Sequence, residues 1–329
     1  MKKVLFATTA LVFSAGFAAA EVSISGYGRF GASYDSSADD NDSQKSTSWI
    51  EQRLRLNIDA LTTTDGGVEF GGRIRLQFDD GNDSTGTAPA LLYVSYGGLR
   101  VEVGNANTAF DSDPLAQNSE IGLTERSFGD PRSAFLSYNT YAYDTDNRTG
   151  IYAQYSIAGF TARGSYVDPD QKSDDQPLNE DGIGLVSEKS VSFSYETGPL
   201  TISAAGNWDS AGIKKNNVWF IGGLYQFTDQ FSAGLNYIDE GYEGWNKEGD
   251  LGKTVVVYGT YAIDAVALHA YIANNDADDN KSDTTYGLGA DYDLGGGTKL
   301  LGSIERGYGS KSSDKDEETI AQFGVKFNF

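Results

Sequence analysis

A long, regular alternation of apolar and polar side chains constrains this chain more than any other feature. From Val22 to Tyr34 every second residue is apolar or small, and the residues between them are mostly polar. This period of two predicts a β-strand with one apolar face. The segment spans about 13 residues, whereas strands of globular proteins usually have about five or six. Residues 49–60 and 67–79 repeat the pattern.

The same alternation continues to the end of the chain and predicts sixteen strands. Their predicted bounds are 22–34, 49–60, 67–79, 89–97, 98–106, 149–158, 159–168, 188–197, 199–209, 216–227, 230–239, 253–263, 265–275, 283–293, 298–308 and 318–329. Seven connections are tight turns and eight are longer, polar and mostly acidic. Because the two kinds alternate, an antiparallel meander places all the tight turns and both chain ends at one rim.

An antiparallel sheet with one apolar face must bury that face in a core or turn it toward lipid. The polar face here carries arginines in mid-strand, such as Arg53 and Arg75, which favours a water-filled interior over a packed core. Sixteen strands enclose a barrel too wide for side chains to fill, and lipid-facing backbone requires a closed sheet. The sequence therefore predicts an all-β protein, a 16-stranded antiparallel transmembrane β-barrel.

The N-terminus predicts export from the cytoplasm. Lys2 and Lys3 precede an apolar stretch that ends in Ala18-Ala19-Ala20, which is the pattern of a secretory signal peptide. We expect cleavage after Ala20. Residues 1–20 are then the signal peptide, and residues 21–329 form a single transmembrane β-barrel domain.

Several stretches resemble a known family. They are Val22–Tyr34, Thr62–Phe78, Tyr286–Gly297 and the final Phe-Gly-Val-Lys-Phe-Asn-Phe. With the pattern of loop lengths, they resemble the general porins of Gram-negative bacteria, the 16-stranded trimeric type and in particular its alphaproteobacterial branch. The resemblance implies an outer-membrane homotrimer for passive diffusion of small hydrophilic solutes and ions, in contact with outer-membrane lipid and lipopolysaccharide.

The segment 107–148 interrupts the rhythm of strands, because connections usually have about 4–6 residues. In the family that the chain resembles, the third loop folds into the lumen and narrows the pore. The resemblance thus implies acids on this loop that face a basic wall. The predicted loop acids are Asp111, Asp113, Glu120, Glu125 and Asp130. The predicted basic wall comprises Arg29, Arg53, Arg55, Arg73, Arg75 and, from the last strand, Lys326.

Opposed charges across a narrow passage would create a transverse electric field that favours small polar solutes. Alternatively, the arginines form salt bridges that merely hold the loop.

Composition excludes several classes of function. The absence of cysteine excludes thiolate metal sites and a cysteine nucleophile, and the single histidine, His269, argues against multi-histidine zinc sites. A formal net charge of −22 argues against binding to nucleic acid. We therefore expect no enzymatic activity and no cofactor.

Acidic side chains cluster in the longer loops. The clusters are Asp39-Asp40 with Asp42, Asp79-Asp80 with Asp83, Asp174-Asp175, Asp278-Asp279 and Glu317-Glu318. They are candidates for structural calcium, since calcium prefers hard oxygen ligands, or they form a solvated rim. In either case, negative pore mouths predict mild cation selectivity.

The sequence is compatible with two other functions of a barrel. A substrate-selective channel, for sugars or anions, would be favoured by a ladder of lumen aromatics, for which Tyr27, Tyr152 and Tyr271 are candidates. A structural or adhesive barrel would have a plugged lumen. A secreted soluble β protein is a third alternative.

Overall fold

The computed structural model describes residues 21–39, 46–143, 147–173, 177–178, 184–244, 247–312 and 314–329. The predicted signal peptide lies outside the described residues, and so do Asp40, Asp42, Asp174 and Asp175 of the acidic clusters. No helix within the described ranges is long and apolar enough to cross a membrane.

In the described ranges, sixteen strands of six or more residues and the two-residue strand Gly86–Thr87 form one antiparallel sheet. Each bound of the sixteen longer strands lies within three residues of its predicted position. The strands are β1 Glu21–Asp35, β2 Ser48–Thr63, β3 Glu69–Asp79, β4 Leu91–Tyr96, β5 Leu99–Gly104, β6 Thr149–Ile157, β7 Phe160–Asp168, β8 Glu188–Thr197, β9 Leu200–Trp208, β10 Val218–Gln226, β11 Phe231–Asp239, β12 Lys253–Ile263, β13 Val266–Asn275, β14 Thr284–Gly295, β15 Thr298–Arg306 and β16 Thr319–Asn328. Each strand pairs with its neighbours in sequence, and β1 also pairs with β16. The predicted closed barrel is confirmed.

The apolar face of the barrel points outward. Ile24 and Phe30 of β1 are 59% and 54% exposed, whereas Arg29 between them is 5% exposed. Exposed aromatics form two belts, as the two interfaces of a bilayer require. One belt, near the tight turns, comprises Tyr96, Tyr155, Tyr195, Tyr225, Tyr261 and Tyr292; the other, near the long connections, comprises Tyr34, Trp49, Tyr166, Trp219, Tyr237 and Tyr286.

The most deeply buried apolar side chains lie inside the barrel. Phe110 and Leu115 belong to the connection between β5 and β6, residues 105–148, which we call the long loop. They pack against inward-facing Val218, Phe220 and Ile238 of β10 and β11. The long loop therefore folds into the lumen, as the resemblance implied.

Candidate functional site

An aromatic anchor attaches the long loop to the barrel wall. The ring of Phe110 stacks on Phe135 of the same loop at a centroid distance of 4.9 Å and meets Phe220 of β10 edge-on at 6.2 Å. Phe110 is completely buried. Burial of a side chain of this size contributes about 1.5–3 kcal/mol, so the contact fixes one side of the loop.

Polar anchors hold residues 132–136 of the loop near the same wall. Glu188 Oε2 accepts hydrogen bonds from the backbone N–H groups of Leu136 (2.6 Å) and Ala211 (2.9 Å). Glu240, directly after β11, accepts one from the backbone N–H of Arg132 at 2.8 Å. Burial raises the pKa of Glu240 to about 7. Neither glutamate was predicted as a site residue, because only the path of the loop shows that both meet its backbone.

Asp113 does not face the basic wall, contrary to the prediction. Its carboxylate accepts hydrogen bonds from the hydroxyls of Ser192 on β8 (2.7 Å) and Ser203 on β9 (2.6 Å). It also accepts one from the backbone N–H of Leu115 at 3.0 Å. In a closed ring of sixteen strands, β8 and β9 lie opposite β1 and β16. Asp113 is therefore a buried anchor of the loop.

Replacing Asp113 with alanine should destabilise the loop, since two buried hydroxyls and one N–H lose their acceptor. Hydrogen bonds to a charged group contribute about 1.5–3 kcal/mol each. We expect the free energy of unfolding to fall by about 2–4 kcal/mol in denaturant titrations of detergent-solubilised protein. Asp113→Asn keeps one acceptor oxygen and should lose less. An alanine variant as stable as the parent protein would show that these bonds do not hold the loop.

Three arginines of the basic wall are paired with carboxylates of the wall itself. The pairs are Arg29–Glu51 at 2.7 Å, Arg53–Asp79, and Arg73–Asp59 at 2.7 Å. Strand register explains two of them, because Arg53 lies opposite Asp79 and Asp59 opposite Arg73 across β2 and β3. Since its side chain is almost fully buried, Arg29 does not line the open pore. These partner acids were not predicted, although alternation already placed Glu51 and Asp59 on the polar face.

Arg55 and Arg75 bind neutral partners instead. Arg55 Nε donates to Gln77 Oε1, and Arg75 donates from Nε to Asn57 (3.0 Å) and from Nη1 to the Thr140 hydroxyl (3.1 Å). Among the residues that the structure describes, neither guanidinium has a carboxylate within salt-bridge distance. They carry the uncompensated positive charge of the wall.

One loop acid contacts the basic wall directly. Lys326 of β16 forms a salt bridge with Glu125 of the long loop. The same ammonium lies 4.8 Å from the ring centroid of Tyr27 on β1. This contact joins the loop to the strands at which the barrel closes.

The remaining loop acids lie close enough to one another to interact. Burial raises the pKa of Glu120 to about 8, and the carboxylates of Asp130, Glu125 and Asp111 raise it further. Burial likewise raises the pKa of Asp130 to about 7, although Ser119 donates a hydrogen bond to it at 3.0 Å. Burial also raises the pKa of Asp111, which accepts a hydrogen bond from Gln117 at 3.0 Å. Contact of these residues with solutes stays a prediction.

The acidic loop clusters do not converge into a metal site in the described part of the chain. No group of three or more acidic or histidine side chains lies close enough there to hold a metal ion. Asp279 accepts hydrogen bonds from the Ser310 hydroxyl (2.8 Å) and from the backbone N–H of Ser312 (2.7 Å). Calcium at these loops stays a prediction.

His269 has partners that could not be predicted from the sequence. Its Nδ1 lies 3.0 Å from the hydroxyl of Thr260, and its Nε2 lies 3.5 Å from a carboxylate oxygen of Asp291. Lys299 binds the same carboxylate at 3.2 Å. Strand register brings these side chains together across β12 to β15.

Comparisons with known proteins agree with this architecture. Residues 7–312 match the family described as Gram-negative porin. The chain is 39% identical over 315 residues to a porin of Fuscovulum blasticum, with 94% of this chain and all of that protein covered. It is 24% identical over 333 residues to a porin of Rhodobacter capsulatus, with the same coverage.

Solved structures give the same result. A triple mutant of the Rhodopseudomonas blastica porin superposes with a TM-score of 0.82 and 37% identity, covering 94% of this chain and 100% of that chain. Another substituted variant of the Rh. blastica porin gives a TM-score of 0.83 with the same identity and coverage. The chain therefore belongs to the Gram-negative porin family and forms an outer-membrane channel.

Proposed function

We propose that the barrel conducts small hydrophilic solutes and ions by passive diffusion through a constriction between the long loop and the basic wall. The observation that carries this proposal is that basic side chains lie on one side of the constriction and acidic side chains on the other. Among the described residues, Arg55 and Arg75 have no salt-bridged carboxylate on the wall. On the loop, Glu120 lies among other carboxyl groups and becomes negative as the pH rises through its pKa, which burial raises to about 8. Measured open-channel conductance of the purified protein in a planar bilayer tests the proposal.

The charge distribution explains how such a pore would select solutes. Separated positive and negative groups in a narrow passage with low-dielectric walls produce a transverse field. Water and small polar solutes align their dipoles in this field and keep favourable contacts on both sides. A large or apolar solute must give up hydration without that compensation, so we expect exclusion by size and polarity.

The channel should prefer cations mildly. The formal net charge is −22, and the longer loops at one pore mouth carry much of that excess. A negative mouth raises the local concentration of cations. Reversal potentials across a KCl gradient should therefore have the sign of potassium preference, and a chloride preference would contradict this prediction.

We also infer a homotrimer in contact with outer-membrane lipid and lipopolysaccharide. Strands β4 and β5 have only six residues each, whereas a membrane-spanning strand needs about 9–11. A neighbouring copy at this sector would cover the part of the wall that is too short to span lipid. Unheated protein should therefore migrate as a trimer in SDS gels, and migration only as a monomer would count against the assembly.

We propose that the chain is not an enzyme, despite the contacts of His269. A threonine nucleophile needs nearby donors for an oxyanion, and the backbone N–H groups around Thr260 belong to the paired ladder of β12 and β13. The network fits a polar lining of the lumen. Hydrolysis of peptide or phospholipid by purified protein, lost in His269→Ala, would overturn this proposal.

A further inference from the structure

We propose that Arg55 and Arg75 form a binding site for small oxyanions, of which inorganic phosphate is the simplest. The site lies on the wall of the constriction and is reached through the lumen. The inference rests on the proposed function, because solutes must enter the pore to meet these side chains. Beyond passive diffusion, the site predicts that the pore binds one class of solute, the small oxyanions.

Strand register brings the two guanidinium groups together. Across β2 and β3, Arg55 lies opposite Gln77 and Asn57 lies opposite Arg75. The two arginines are therefore diagonal neighbours on the lumen face, which is within reach of long side chains. Each Nε donates to the amide oxygen of the residue opposite it. These bonds fix the direction of both guanidinium planes.

Both groups keep donors for a solute. Nη1 and Nη2 of Arg55 and Nη2 of Arg75 have no acceptor among the described residues. Both side chains are partly exposed, so these donors are open to the lumen. The wall carboxylates Asp79 and Asp59 bind Arg53 and Arg73 instead.

An aromatic ring contacts each of the two cations. The guanidinium carbon of Arg55 lies 5.0 Å from the ring centroid of Tyr27, and that of Arg75 lies 4.5 Å from that of Tyr138. A guanidinium that contacts a ring in this way is held by cation–π attraction. Lys326 contacts the ring of Tyr27 as well, at 4.8 Å, but its charge is paired with Glu125.

This chemistry fits an oxyanion better than a halide. Guanidinium donors form a planar fork that matches two oxygens of a phosphate or carboxylate, whereas chloride offers a single point. Two neighbouring like charges also repel each other, and an anion between them relieves that repulsion. The acidic charge of the loops governs which ions gather at the mouth, whereas the arginine pair governs which anion is retained.

The test measures binding of radiolabelled inorganic phosphate to the purified, detergent-solubilised protein, together with single-channel conductance in KCl as phosphate is added at constant ionic strength. We expect saturable binding and a saturable change in conductance with the same half-effect concentration. The double variant Arg55→Gln with Arg75→Gln should raise that concentration about tenfold or more, since charge-assisted bonds are lost. A double lysine variant, which keeps charge but not the fork, should bind more weakly than the parent.

Arg163 offers a control elsewhere on the lumen wall, four strands away from β3. It lies on β7 and donates from Nη1 to the hydroxyls of Ser192 (3.4 Å) and Ser194 (3.0 Å). Within the described ranges it, too, has no salt-bridged carboxylate. Arg163→Gln removes one positive charge from the lumen wall and leaves the arginine pair intact, so phosphate binding should stay within about twofold of the parent.

Each outcome has a separate meaning. Loss of phosphate binding in the double glutamine variant alone supports the site. No saturable binding by the parent, unchanged binding by the double variant, or equal weakening by Arg163→Gln overturns it. Failure of the proposed function shows as absent conductance steps in KCl without phosphate, whereas the binding measurement tests the site independently of conduction.

Discussion

Removal of residues 109–136 from the long loop is expected to raise the single-channel conductance several-fold. The deleted part crosses the lumen, and sixteen strands without it enclose an open aqueous channel. A short glycine link can replace it, because the loop ends already meet: Asn107 Oδ1 accepts a hydrogen bond from the backbone N–H of Tyr138 at 3.1 Å. Conductance steps of the parent and the deletion variant in the same salt measure the effect.

The deletion also uncovers inward-facing apolar residues of β10 and β11, including Val218 and Phe220. Folding of the variant must therefore be checked by its β-sheet circular dichroism and by its compact migration in unheated SDS gels. Phe110→Ala removes one loop anchor without opening the lumen, so its conductance should change far less. A folded deletion variant with the conductance of the parent would show that the loop does not narrow the pore.

Raising the pH from about 6 to about 9 should increase the preference for cations. The pKa of Glu120 is raised to about 8 and that of Asp130 to about 7, in each case mainly by burial. Both carboxyls are mostly protonated and neutral below these values, and they become anionic above them. Reversal potentials in a KCl gradient at several pH values measure the change, with its midpoint near the two pKa values.

Glu120→Gln should flatten the alkaline half of this profile, because the residue stays neutral at every pH. Asp264→Asn is the control, since Asp264 lies in the tight turn between β12 and β13, away from the loop acids. Its profile should match that of the parent. A cation preference that falls as the pH rises, or that does not change, would contradict the placement of these acids at the pore.

The barrel could be predicted from sequence because its determinants are local. A period of two in side-chain polarity specifies each strand and its two faces. On β1 the predicted outward residues Val22, Ile24, Phe30 and Tyr34 are exposed, whereas Gly28 is covered by the ring of Phe327. The path of the long loop is different. Its position inside the lumen followed from family resemblance, since anchors such as Phe110–Phe220 join residues that lie far apart in the sequence.

The partners of the site residues could not be predicted from the sequence. Alternation placed Arg53, Arg55, Arg73 and Arg75 on one polar face, but it did not reveal which of them have partners. The register across β2 and β3 decides which arginines have carboxylate partners. It sets Asp79 opposite Arg53 and Asp59 opposite Arg73, whereas Arg55 and Arg75 lie opposite amides. Asp113 was misplaced for a related reason: the loop turns this residue toward serines of β8 and β9.

Single-channel conductance in a planar bilayer at several KCl concentrations tests the central claim most directly. A water-filled diffusion channel predicts large steps that rise nearly in proportion to bulk salt, in groups of three for a trimer. Small steps that saturate with KCl would indicate a substrate-selective channel instead. No steps from correctly inserted protein would mean a plugged barrel and would contradict the account.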